Sequence, residues 1–183
     1  MVRRRVIGAA LVCLLGIGTV AGAQDSGRVG ITMGYPASIG ILWHVSERVA
    51  LRPEFSFTTM DSSSASLIGA ESSFSSTGTG ISALFSSPAR DNLRLYVAPR
   101  FQYARTHGDS DTTESTTNSY TFAGMFGAQY ALGRRFAAFG EVGLGYARQS
   151  GSLLTSVVVA TRTTSKSNTF GTRTGIGVVL YFR

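Results

Sequence analysis

The sequence predicts an all-β fold, an eight-stranded antiparallel up-and-down transmembrane β-barrel. Three observations carry that expectation. The last stretch, Thr169 to Arg183 (TFGTRTGIGVVLYFR), alternates at period two: Phe170, Thr172, Thr174, Ile176, Val178, Leu180 and Phe182 share one face, while Gly171, Arg173, Gly175, Gly177, Val179 and Tyr181 share the other. A greasy outside and a small, polar inside invert the arrangement of a soluble strand and suit a barrel whose solvent is lipid. The rest of the chain repeats such alternation in segments parted by turn chemistry, with no long stretch of helical period. Beyond the N-terminus no apolar segment is long enough for a transmembrane helix, so a spanning chain must span in strands, whose backbone groups pair with one another.

The N-terminus is expected to be a targeting segment. Arg3, Arg4 and Arg5 precede an apolar run from Val6 to Val20, and Ala21-Gly22-Ala23 offers a small-residue cleavage site. The run is short for a spanning helix, which needs about 20 residues, and fits a secretory signal over 1–23 with the barrel over 24–183. Cys13, the sole cysteine, lies inside the signal, so the remainder holds no disulfide, thiolate metal site or cysteine nucleophile. Losing the signal lowers the formal charge from +7 to +4. The remaining basic residues are scattered singly, without the clustered footprint of a nucleic-acid binder.

Eight segments follow in order. Arg28 to Tyr35 places Val29, Ile31, Met33 and Tyr35 together, and Pro36-Ala37 turns the chain into Ser38 to Ser46, where Ile39, Ile41, Trp43 and Val45 align. Arg48 to Thr58 alternates Val49, Leu51, Pro53, Phe55 and Phe57 with Arg48, Ala50, Arg52, Glu54 and Ser56. Proline cannot donate to a ladder, so Pro53 predicts a bulge or a missing bond. A Ser-rich loop over Thr59–Ser72 leads to Ser73–Ser86, where Thr77, Thr79, Ile81, Ala83 and Phe85 share a face and Phe74 breaks the parity. After the turn Ser87–Asn92, Leu93 to Arg105 sets Leu93, Leu95, Val97, Pro99, Phe101 and Tyr103 against Arg94, Tyr96, Ala98, Arg100 and Gln102. A polar loop over His107–Asn118 precedes Ser119–Leu132, with Tyr120, Phe122, Phe126, Tyr130 and Leu132 on one side. Gly133-Arg134 turns into Arg135–Gln149, where Phe136, Val142, Leu144 and Tyr146 oppose Phe139, Glu141, Gly143 and Gly145. A loop over Ser150–Ser167 leads into the last strand.

Tight and long connections alternate, Pro36-Ala37 being the one short joint on the long side. Taken with the terminal aromatic strand, the pattern resembles the small outer-membrane β-barrels of the OmpA/OmpX type. The resemblance implies the bacterial outer membrane, lipid and lipopolysaccharide as surroundings, a monomer, and delivery by the barrel-assembly machinery with Phe182 as assembly signal, although Arg183 follows it. Swapping the faces would turn Arg52, Arg94, Arg100 and Arg173 to lipid, at roughly 2–4 kcal/mol each near the midplane. A soluble lipocalin-like barrel is the rival, with Arg52, Glu54, Arg94 and Glu141 on its water-facing side; the signal, the aromatics and the terminal phenylalanine favour the membrane.

Inside, the last, first and seventh segments present glycines (Gly30, Gly34, Gly143, Gly145, Gly171, Gly175, Gly177), and across from them stand long polar groups. The expected lumen charge network is Arg52, Glu54, Arg94, Arg100, Glu141 and Arg173, read either as a salt-bridge plug or as a gate along a narrow ion path. His44 falls inward near the short-turn end, as a wet residue at the mouth. Arg105 and Arg148, outward at the upper rim, either meet lipopolysaccharide phosphates or snorkel. Asp109, Asp111 and Glu114 are spaced like a calcium loop but lack the glycine of an EF-hand and read as a solvated tip. His107 lies in His107-Gly108-Asp109-Ser110, yet no nucleophile elbow and no downstream acid at matching spacing accompany it. No enzyme activity, cofactor or metal is therefore expected. The functional expectation is a structural or surface-interaction barrel whose loops contact an extracellular partner, with a narrow passage for small or lipophilic solutes as the alternative and a lipid-modifying enzyme third.

Overall fold

The computed structural model describes residues 28–36, 38–64, 70–110, 112–155 and 161–182. The segment expected to be a signal, with Cys13, and the residues Asp111 and Arg183 lie outside them. The described residues form eight strands: β1 Val29–Tyr35, β2 Ser38–His44, β3 Val49–Ser64, β4 Ala70–Ser86, β5 Leu93–Ser110, β6 Thr113–Ala131, β7 Phe136–Thr155 and β8 Thr161–Phe182. Each pairs with its sequence neighbours, and β8 closes on β1. Every ladder of the ring is antiparallel.

The register fixes the barrel's shape. Starting at Met33 and stepping across each ladder leads through Ile39, Phe55, Thr79, Tyr103, Tyr120 and Arg148 to Asn168 on β8. The partner of Met33 on β8 is instead Val178, so the circuit closes with a stagger of ten residues (178 − 168). With a strand spacing of ~4.8 Å and a rise of ~3.3 Å, that shear tilts the strands by about 40° and gives a backbone radius of about 8 Å. Each residue then climbs ~2.5 Å along the barrel axis.

Side chains follow the expected parity. The outward face carries Val29, Ile31 and Met33 on β1, Ile39, Ile41 and Trp43 on β2, Leu95 and Val97 on β5, Phe122 and Phe126 on β6, Val142 and Leu144 on β7, and Ile176, Leu180 and Phe182 on β8, all left exposed. Aromatics mark both edges of this apolar belt: Trp43, Tyr130, Phe136 and Phe182 toward the short turns, and Phe57, Tyr120, Tyr146 and Phe170 toward the long hairpins. Phe101 and Phe122 touch across their ladder at 4.9 Å between centroids, and Tyr103 and Tyr120 at 5.1 Å.

The two prolines within strands, Pro53 and Pro99, each interrupt a ladder, as residues without an N–H must, and neither makes a bulge. The β2–β3 ladder skips from Gly40↔Glu54 to Trp43↔Leu51, losing the rungs around Pro53, yet keeps its register on either side. Likewise the β4–β5 ladder skips from Ser82↔Arg100 to Phe85↔Val97 around Pro99.

The three long connections differ from expectation. Most of Thr59–Ser72, His107–Asn118 and Ser150–Ser167 is strand, because β3–β4, β5–β6 and β7–β8 run on as paired ribbons. The 22 residues of β8 span about 55 Å of height, roughly twice the ~25 Å apolar band of such barrels. Beyond the belt both faces of a ribbon meet water, so the alternation that betrays a strand in sequence vanishes while Ser and Thr still pair well. Phe74 lies on the inward parity of β4 opposite Met60, high on such a ribbon, where facing inward no longer means being buried.

The β1–β2 hairpin alone is short. β1 pairs with β8 only from Phe182 to Ile176, and β2 pairs with β3 only up to Phe55. Above that turn β8 is held by β7 alone and β3 by β4 alone. Arg162 and Lys166 sit on the open margin of β8, where charged side chains discourage pairing with a stray strand.

Candidate functional site: a lumen in three layers

The lumen fills from the short-turn end upward. Its lowest layer is an apolar core of inward residues from seven of the eight strands, with Leu42, Leu84, Tyr96, Met125, Val179 and Tyr181 as its larger members. Sequence reasoning missed this layer. The signal was present in SIGILWH of β2, apolar on both faces, which marks a segment buried inside as well as facing lipid. His44 belongs here too. Rather than wet, it is buried, 4 % exposed, with its ring tilted against Tyr181 at 5.7 Å, because Tyr181 covers it at the bottom of the lumen.

On that floor lies the charge layer. The Glu141 side chain, fully enclosed, accepts from Arg52 Nη2 at 2.7 Å and the Tyr96 hydroxyl at 2.8 Å through Oε1, and from Arg100 Nη2 at 2.6 Å through Oε2. Glu54 flanks the same cations, 3.2 Å from Arg52 Nε and 3.5 Å from Arg100 Nε. Arg100 Nε also donates to Ser82 Oγ at 2.9 Å, and the Arg52 guanidinium lies 5.1 Å from the Phe139 ring centre. Two arginines thus meet two carboxylates across β3, β5 and β7, a balanced set in a space where an unpaired charge is expensive.

Of the six residues expected in the network, Arg52, Glu54, Arg100 and Glu141 come together; Arg94 and Arg173 do not join them. Parity puts all six inside, but depth separates them. Arg94, six residues before Arg100 on β5, reaches His44 Nε2 at 3.5 Å near the short-turn end. Arg173 lies above the cluster, its stem against Gly145. Aromatic rings pack onto two of the inward glycines. A Cβ on Gly127 would meet the Tyr96 ring at 2.4 Å, and one on Gly177 the Phe139 ring at 2.6 Å. Bare backbone at these two points is what lets the large inward side chains cross the lumen.

The top layer is open. A cavity of about 340 Å³ stands on the charge layer, lined by Arg100, Gln102, Glu141 and Arg173 on the lumen side and reaching Tyr35 and Ile176, whose side chains face outward.

The other candidate residues are spread along the wall and the ribbons. Arg105 and Arg148 are exposed on the outward face just beyond the belt; Arg148 shares a surface groove with Tyr120, Phe122, Tyr146, Ser150 and Lys166. Phe182 faces outward opposite Val29, closing the barrel seam. His107 Nδ1 lies 3.3 Å from Thr116 Oγ1 on the β5–β6 ribbon, with no carboxylate partner among the described residues. Asp109 and Glu114 face each other across the same ladder, and the described residues hold no cluster of three metal-binding side chains.

Closed ring, apolar exterior and filled interior define the fold of a small outer-membrane β-barrel. The chain matches no protein-family model, and no curated protein matches it. Among solved structures it is similar to a major outer membrane protein from Thermus thermophilus, at 11 % identity and a TM-score of 0.54 over 85 % of this chain and 98 % of that one. It also matches CarO from Acinetobacter baumannii at 12 % identity and a TM-score of 0.37, over 86 % of this chain and 98 % of that one. The first likeness bears on the fold alone.

Proposed function

We propose that this chain is a bacterial outer-membrane barrel with a structural or surface-interaction role, its lumen closed by the Arg52–Glu54–Arg100–Glu141 cluster and the apolar floor beneath it. One observation carries the reading: the charge layer is neutral, mutually bonded and seated on a packed, largely apolar floor. An ion entering from above would have to break charge-assisted bonds and then cross a closely packed, largely apolar layer. The apolar belt argues for the membrane, since a soluble barrel would expose that surface to water. The tall ribbons are the part that would meet an extracellular partner. The groove at Arg148 and Lys166, two cations above aromatic residues at the belt's edge, supports contact with lipopolysaccharide phosphates. Phe182 would serve the assembly machinery, and the chain would act as a monomer without cofactor or enzymatic turnover.

Planar-bilayer recording on the refolded protein tests the closed lumen. A silent bilayer is expected; steps of defined conductance would replace this reading with the narrow-passage alternative. Lipid A mass analysis of expressing cells should show no new species, and a changed acyl pattern would favour the enzyme.

A further inference from the structure

The shortness of one hairpin opens the barrel sideways. Tyr35, the last residue of β1, pairs with Ile176, and Phe170 lies six residues farther up β8. At ~2.5 Å of height per residue the β1–β2 turn therefore ends about 12–15 Å below the upper aromatic edge of the belt. Between these levels the wall lacks two strands. Among the described residues no ladder joins β3 to β8 there, and β8 from Thr161 to Phe170 is exposed on both faces.

The rims of this notch are polar where lipid should be. Tyr181 N donates to Arg135 O on the β7 side, and antiparallel backbones alternate the neighbour they address. Thr174, Thr172 and Phe170 therefore turn their N–H and C=O groups into the notch. On the other rim Val45 N donates to Val49 O, which by the same alternation aims Phe57 and Thr59 at the gap. Backbone groups left without partners in hydrocarbon cost several kcal/mol each, so the notch cannot be filled by acyl chain alone. Behind it stands the open cavity with Arg173, which has no carboxylate partner among the described residues. In front stand Tyr35 and Ile176 on the lipid-facing wall.

We infer that this notch admits a single-chain anionic amphiphile of the outer leaflet, its head on Arg173 and its chain leaving between β3 and β8. The inference rests on the membrane placement and the closed floor proposed above. The cavity's 340 Å³ lies at the small end of the roughly 300–1,000 Å³ of ligand sites, which suits a carboxylate or lone phosphate and the start of one chain and excludes a branched sugar head. A charge-assisted guanidinium–anion contact supplies the preference for charge, and the polar rim accepts the hydrated neck of the ligand.

The test uses the protein in lipid nanodiscs with nitroxide-labelled stearate, and the methyl ester of the same chain as the neutral control. Spectra should show a motionally restricted fraction for stearate, with at least tenfold preference over the ester. Arg173→Gln should abolish that preference and Arg173→Lys keep most of it. Thr174→Trp, which fills the rim, should weaken binding of both probes, whereas Val97→Ala on the outward face of β5, on the far side of the barrel, should leave it unchanged. Equal retention of stearate and ester by the native protein, or a preference that survives Arg173→Gln, overturns the inference. Full displacement by millimolar acetate would mean an anion pocket that takes no chain, and would overturn it too. If the labelled chain shows no restriction although the belt is found in lipid, this inference alone fails and the membrane placement stands.

Discussion

Removing the Glu141 carboxylate is the sharpest perturbation of the lumen. Glu141→Ala deletes the acceptor of Arg52 Nη2, Arg100 Nη2 and the Tyr96 hydroxyl at once, at 2.7, 2.6 and 2.8 Å. Arg52, whose side chain is 2 % exposed, is then left with Glu54 alone, which must also serve Arg100. Breaking a buried pair by removing one partner costs about 3–5 kcal/mol, a large share of a domain stability of about 5–15 kcal/mol. With a urea slope of about 1–3 kcal/mol per M, the unfolding midpoint should drop by roughly 2 M. Leu144→Ala, which trims a side chain exposed on the lipid-facing wall, should move it by far less. Urea titration in lipid vesicles, followed through the single Trp43, reads both variants. Planar-bilayer recording on Glu141→Ala should stay silent, because Leu42, Leu84 and Val179 still close the lumen below. A wet, conducting lumen predicts the opposite pair of results: little lost stability and raised anion conductance. A variant that is both stable and silent would refute the inside–outside assignment of β7.

Gly127→Ala should destabilise by about 1–3 kcal/mol, the usual cost of forcing bulk into a packed interior, because its Cβ would overlap the Tyr96 ring, while Gly124→Ala, with nothing within 4 Å of the added atom, should be near neutral in the same titration. Unboiled protein in detergent should migrate at a different apparent size from boiled protein on a gel and show β-type circular dichroism, as a closed ladder resists cold detergent; identical migration would argue against closure. Trypsin added to intact cells should cut at Arg162 and Lys166 and spare Arg94 and Arg100, with the cut slowed by pairing of these residues to Leu154 and Ser150; cleavage only after the outer membrane is opened would invert the orientation.

The features legible in the sequence were those that lipid enforces. Period two along the successive segments followed from apolar residues facing hydrocarbon and small or polar ones facing inward, and it gave the strand count and the face of Arg52, Glu54, Arg100 and Glu141. Face is not depth, however. Arg94, Arg100 and Arg173 share the inward parity, and only the register across strands separates them into floor, cluster and cavity. The ribbons above the belt lost their periodic signal because water meets both faces, so Ser150–Ser167 reads as loop although most of it is strand. The notch was half visible. Pro36-Ala37 stands out as the one short joint on the long side, but its consequence appears only when the neighbouring strands are seen to run past it.

The membrane barrel itself is tested most directly by single spin labels placed along β5. Residues 24–183 contain no cysteine, so Leu95→Cys, Tyr96→Cys, Val97→Cys and Ala98→Cys each give a unique attachment site. In vesicles, labels at 95 and 97 should be readily relaxed by oxygen and shielded from a water-soluble nickel complex, while labels at 96 and 98, facing the packed lumen, should be shielded from both. Outward labels open to the nickel complex would place that face in water, and labels without a period of two would contradict the barrel.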